Sequence, residues 1–221
     1  MKELFDKLGI EINNIKLYKA AFCHSSYANE VGNMDDYERL EFLGDAVVEL
    51  IISEYLYKNN DCLEGELTKL RSRYVCENAN YEYALYLGLN NLIKVGVGEA
   101  KDNGKYKKAI VADVFEALMG AIYLDLGYET VKRVILSIIV PFILNPTVNF
   151  FNDYKSVLQE YVQTEGKSVH YELIDERGAP HDKTFVMSVM IDNICYGEGI
   201  GSSKKDAEQE AAKTALQKMA N

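Results

Sequence analysis

The run "AIVADVFEALMGAIYLDL", residues 109–126, restricts the folds open to this chain more than any other segment. On a helix it is apolar nearly all round, so it has to be enclosed on every side. Yet it carries Asp113 and Glu116, one turn apart. Its length and hydropathy raise the possibility of a membrane span. Carboxylates at membrane depth are strongly disfavoured, and no cationic flank follows, so the run is read as a buried helix of a water-soluble protein with no membrane partner. Asp113 and Glu116 then lack an ordinary route to water, and an unpaired buried carboxylate normally takes up a proton.

A second acidic group lies in "YERLEFLGDAVV", residues 37–48, where Glu38, Glu41 and Asp45 stand at i, i+3 and i+7 and share one helical face. By itself that triplet also fits the solvated face of an amphipathic helix. Paired with Asp113 and Glu116 it suggests another arrangement, two helices that present acids to one another. Their repulsion is removed by a divalent cation, and all-oxygen ligands favour Mg²⁺, with Mn²⁺ as a substitute, over zinc. Phosphodiester hydrolysis is the natural chemistry of such an ion beside a phosphate. The four cysteines, Cys23, Cys62, Cys76 and Cys195, are widely spaced, and the three histidines are scattered. That pattern suits neither a structural zinc site nor a disulfide framework. Free thiols in a reducing cytoplasm are expected, and the N-terminus lacks the sections of a secretory signal.

Up to about residue 144 the chain reads as helix after helix, with apolar residues at helical spacing in "LEFLGDAVVELIISEYLY" and "ENANYEYALYLGL". "PFILNPTVNFFND" (141–153), with its two prolines and no apolar period, reads as a boundary. Beyond it "DYKSVLQEYVQTEG" is helical, "VHYELIDERG" and "TFVMSVMIDNICYGEGIG" have strand composition, and Asp192-Asn193 splits the second of these as a hairpin turn. Ser202-Ser203 can cap a closing helix with an alanine stripe at Ala207, Ala211 and Ala215. The expected division is a helical domain over 1–144, a linker over 145–152 and a small α+β module over 153–221.

"YERLEFLGDAVV" closely resembles the signature of the ribonuclease III family. "HSSYANE" (24–30), "LEGELTKLRSRYV" (63–75) and "IVADVFEALMGAIYLDLG" (110–127) follow in the family's order, and the C-terminal module resembles a double-stranded RNA-binding domain. The resemblance implies an all-α endonuclease domain followed by an α-β-β-β-α RNA-binding domain. It implies a Mg²⁺-dependent homodimer that cuts both strands of an RNA duplex, leaving 5′-phosphates and 3′-hydroxyls with short 3′ overhangs, in cytoplasmic processing of ribosomal RNA precursors and messages. Carried over by position, it makes Glu41, Asp45, Asp113 and Glu116 the metal-binding carboxylates. Asp45 and Glu116 become the pair whose loss is most damaging, with Glu38 and Glu64 as further acids of the cleft. Phe42 matches a residue that enters a pocket of the partner subunit. Tyr37, where the family commonly has asparagine, Ser202, where a basic residue is frequent, and the 98–108 loop depart from the pattern.

A-form RNA hides its base edges, so a duplex reader needs separated contacts across minor, major and minor groove. Gln159 and Gln163 on the first helix, His181 in "GAPHD", and Ser203, Lys204 and Lys205 at the start of the last helix supply three. Ammonium groups there and the positive end of the helix dipole together favour phosphate. From residue 151 onward 8 Lys and Arg face 12 Asp and Glu, a net of −4, within a chain of formal charge −10. Binding therefore has to rest on a local patch and to weaken steeply with salt. Two rival readings are a non-catalytic RNA-binding scaffold, which predicts eroded carboxylates, and a diphosphate-processing helical enzyme with "MDDYE" (34–38) as its magnesium site. The second leaves the C-terminal module without purpose.

Overall fold

The computed structural model describes residues 1–32, 34–145, 154–178 and 183–219. Two units form, Met1–Phe151 and Asn152–Asn221. The first is helical: α1 (Lys2–Leu8), α2 (Ile15–Ala21), α3 (Ser25–Val31), α4 (Glu38–Asn59), α5 (Glu64–Val75), α6 (Glu77–Leu87), α7 (Val97–Lys101), α8 (Lys108–Leu126) and α9 (Tyr128–Ile143). The second is α10 (Tyr154–Thr164), a three-stranded antiparallel sheet of β1 (Val169–Arg177), β2 (Thr184–Ile191) and β3 (Ile194–Gly201) in that order, and α11 (Lys204–Met219). Two details differ from the sequence reading. The supposed 98–108 loop contains α7 and a 3₁₀ turn at Gly104–Tyr106. Helix α9 runs through Pro141 into the segment read as a boundary, giving up one backbone donor in its last turn. The expected linker lies, from residue 146 on, outside the described residues.

Helix α8 is enclosed as its composition demands, with Val111, Val114, Phe115 and Ala117 to Ile122 all buried. It packs most extensively against α4, which buries the stripe Leu40, Gly44, Val47, Val48, Ile51, Ile52 and Leu56, and next against α6. No described helix is long and apolar enough to cross a membrane. The α4–α8 crossing is made by two glycines. A Cβ on Gly44 would fall 1.8 Å from the Glu116 carbonyl oxygen, and one on Gly120 2.3 Å from that of Leu40. The backbones are therefore in direct contact.

"HSSYANE" is a tie between chain segments. The His24 imidazole caps α3 by accepting from the Ser26 N–H at 3.1 Å. Ser26 Oγ accepts from the Gly96 N–H at 2.9 Å, and Glu30 Oε1 from the Val97 N–H at 2.8 Å, which anchors the start of α7. In the second unit Asp192 and Asn193 adopt φ of 47° and 66°, the left-handed pair of a tight hairpin. Helix α11 lies directly on β3: a Cβ on Gly199 would stand 2.1 Å from the Ala211 nitrogen, and one on Gly201 2.4 Å from the Ala207 nitrogen.

Alanine for glycine inside a helix ordinarily gains about 1 kcal/mol of propensity, whereas overpacking against unyielding backbone costs about 1–3 kcal/mol or more. The clash at residue 44 is with backbone, so the second effect wins. Gly44→Ala is expected to lower the unfolding free energy in urea by about 2 kcal/mol. Gly98→Ala, where nothing lies within 4 Å of the new carbon, should leave it unchanged or raised.

Candidate active site

The glycine contact sets the first turns of α4 beside the N-terminal half of α8. There one carboxylate oxygen each of Glu41, Asp113 and Glu116 lies within 4.8 Å of the other two, on half-buried side chains. All donors are hard oxygens, with no histidine or cysteine in the group, which suits a Mg²⁺-like ion and not zinc. Asp45, one turn along α4 from Glu41, is exposed and is not one of the three, although its charge acts on both Glu41 and Glu116. Glu38 is exposed too and acts on Glu41. Glu64, exposed at the start of α5, accepts from the Thr68 hydroxyl at 3.1 Å and stays outside the group.

Crowding like charges in a half-buried site disfavours ionisation. Burial, then the charges of Asp113, Glu38 and Asp45, push Glu41 up to about 7. Burial, then Asp45, Asp113 and Glu41, push Glu116 up to about 8, against the opposing hydrogen bond from Asn80. Asp113 is also raised, chiefly by burial, and the Tyr37 hydroxyl opposes this.

Two neighbours escaped the sequence reading of the acidic site. The Asn80 side-chain N–H donates to Glu116 Oε1 at 2.6 Å. The Tyr37 hydroxyl donates to Asp113 Oδ2 at 3.2 Å, and its ring centroid lies 5.7 Å from that of His24. Tyr37 is buried, so its departure from the family pattern bears on the acidic pocket rather than on an exposed RNA-contact surface. The signal for Asn80 was present: it occupies the inward stripe of α6 with Tyr83, Ala84 and Leu87, and a polar residue at an apolar-period position needs a buried partner.

In the second unit Gln159 and Gln163 are exposed on α10, one turn apart, and Lys204 and Lys205 are exposed at the start of α11. Ser203 caps α11, its Oγ accepting from the Asp206 N–H at 3.1 Å and donating to the Asp206 carboxylate at 2.7 Å. Ser202 Oγ also reaches that carboxylate, at 3.1 Å. His181 lies outside the described residues.

A Ribonuclease-III-like profile matches residues 14–143, and a double-stranded RNA binding motif matches residues 154–219. The ribonuclease 3 of Onion yellows phytoplasma (strain OY-M) is 46% identical over 221 residues, 100% of this chain and 92% of that protein. The ribonuclease 3 of Bacillus cereus (strain G9842) is 45% identical over 218 residues, 97% of this chain and 89% of that protein. Among solved structures, the nuclease domain of ribonuclease III from Campylobacter jejuni superposes with a TM-score of 0.59 at 37% identity, covering 63% of this chain and 96% of that one; it was described for flexibility in a region involved in dimer formation.

Glu41 and Glu116 move from 4.5 to about 7 and about 8, so between those values the folded chain holds protons that the unfolded chain has released. Stability then falls as pH rises across that window. In EDTA the melting temperature should drop between about pH 5 and about pH 8. Glu116→Gln should flatten the fall and melt higher at the alkaline end, as followed by circular dichroism.

Proposed function

Given that the chain belongs to the ribonuclease III family, we propose that its three-carboxylate pocket holds Mg²⁺ for hydrolysis of the RNA backbone, with Mn²⁺ able to substitute. The protein is a double-stranded-RNA endoribonuclease with an RNA-binding domain of its own. The observation that carries the metal reading is the convergence of one carboxylate oxygen each from Glu41, Asp113 and Glu116 within 4.8 Å. Carboxyls raised by burial and by one another's charge are a site prepared for a positive charge.

Bound divalent metal would lower the pKa of a water to supply the nucleophile and would stabilise the departing 3′ oxygen. Glu41, Asp113 and Glu116 are its holders in this reading. Asp45, on the exposed side, adds charge at the mouth of the pocket, where the scissile phosphate would arrive, and with Glu116 forms the pair whose loss is most damaging. Glu38 and Glu64 line the approach. Gln159 and Gln163 face one minor groove, His181 the next, and Ser203, Lys204 and Lys205 meet the phosphates between. The products proposed are 5′-phosphate and 3′-hydroxyl ends with short 3′ overhangs, and the work is ribosomal RNA and message processing in the cytoplasm.

A duplex backbone has approximate two-fold symmetry, so two copies of one site can each take a strand. The outer face of α4 supports a homodimer: Phe42 is 81% exposed, Leu50 57% and Tyr57 76%. Phe42 borders an open groove of about 1080 Å³ lined also by Leu17, Met34, Leu43 and Leu124, apolar enough to receive the same phenyl ring of a second copy.

A long RNA duplex should be cut by the unaltered protein in Mg²⁺, but not in EDTA, nor by Asp45→Asn or Glu116→Gln in Mg²⁺, while both variants still retard the duplex on a gel. Cutting in EDTA, or full activity of both variants, would reject the metal reading. Phe42→Asp should sediment as a monomer and lose most duplex cleavage, with its helical circular dichroism intact.

A further inference from the structure

Among the described residues, tyrosines apart, the buried polar side chains are Asn80 and Ser188, and Asn80 is 1% exposed. Its nitrogen donates to Glu116 Oε1, and its Oδ1 is buried with no hydrogen-bond partner among the described residues. That half-satisfied state is unfavourable on its own terms. Leucine would fill the same inward position of α6, between Ala79 and Tyr83, and would remove the stranded oxygen, offsetting the hydrogen bond that Glu116 loses.

The orientation of the amide follows from Glu116. Turned over, the amide would set its oxygen against the Glu116 carboxyl and turn its N–H donors away from the acceptor they now meet. The choice of a neutral donor also has a reason. Lysine or arginine at residue 80 would hold Glu116 more strongly, but would cancel the negative charge that a metal needs and compete for its place. An amide fixes the direction of the carboxylate and leaves its charge available. Tyr37 stands in the same relation to Asp113, so both acids that α8 gives to the pocket are held by uncharged groups from other segments.

We propose that Asn80 is a positioning residue for the metal pocket: it locks Glu116 in the orientation that closes the group with Glu41 and Asp113 before any ion arrives. This rests on the metal reading of that group given above. Outer partners of metal-binding side chains generally matter by about 10–100-fold in affinity or activity, and Asn80 is placed to act in that way although it would touch neither metal nor RNA.

The test is Mn²⁺ binding to the RNA-free full chain by calorimetry, on the unaltered protein, Asn80→Leu and Asn80→Ala, with thermal melts alongside. The expected result is about ten-fold weaker Mn²⁺ binding in both variants, with Asn80→Leu melting no lower than the parent. An asparagine that served the fold alone would move the melt and leave the isotherm in place. Any folded variant that binds Mn²⁺ within two-fold of the parent overturns the proposal. Failure of the unaltered chain to bind Mn²⁺ strikes the metal reading itself and removes the proposal with it. Should neither variant fold, the unaltered protein decides: the Asn80 side-chain amide signals in a proton–nitrogen spectrum must shift when Mg²⁺ saturates the site, and unmoved signals refute the lock.

Discussion

Two helices in backbone contact hold the first unit in its working form. Helix pairs separated by ordinary side chains lie about 8–10 Å apart, whereas at Gly44 and Gly120 the spaces that side chains would occupy are taken by the Glu116 and Leu40 carbonyls. That approach brings acids at 41 and 45 to those at 113 and 116. It also creates the repulsion that raises Glu41 and Glu116. What holds the helices together against it is the apolar packing around the crossing, with Val48, Ile51, Phe115, Leu118 and Met119 all but fully buried. The site is unfavourable locally and is maintained by the core beneath it, as active sites commonly are.

The pocket has a held wall and an open one. On the α8 side, Asp113 and Glu116 are each engaged by a buried neutral donor, Tyr37 and Asn80. On the α4 side, Glu38 and Asp45 face solvent. "HSSYANE" supports the same wall from a distance, since His24 both caps α3 and packs its ring beside Tyr37.

The second unit uses the same small-residue device for a different purpose. Gly197, Gly199 and Gly201 of β3 let α11 settle its alanine face directly on the strand. Little apolar volume is then needed, and the core is made by Leu158, Val162, Val189, Ile191 and the alanines. With a net charge of −4 over residues 151–221, this unit cannot attract RNA by its overall field. The exposed lysine pair beside the Ser203 cap gives it a local cationic point at the end of a helix dipole.

Much of this was legible before any coordinates. Apolar period and composition marked α8 as enclosed, set the α-β-β-β-α order of the second unit and located the turn at Asp192-Asn193. The spacing of Glu38, Glu41 and Asp45 named one acidic face, and the ordered motifs named the family. These are local or statistical properties, since which face is buried depends on residues a few positions apart. The identity of the partners across the site was not legible. Asn80 meets Glu116 across 36 positions and Tyr37 meets Asp113 across 76, and Asp45 stands outside the close group while Glu41 lies within it. Such differences of an ångström or two depend on how closely two backbones pack and which rotamers the surrounding core permits, and no spacing along one helix encodes that.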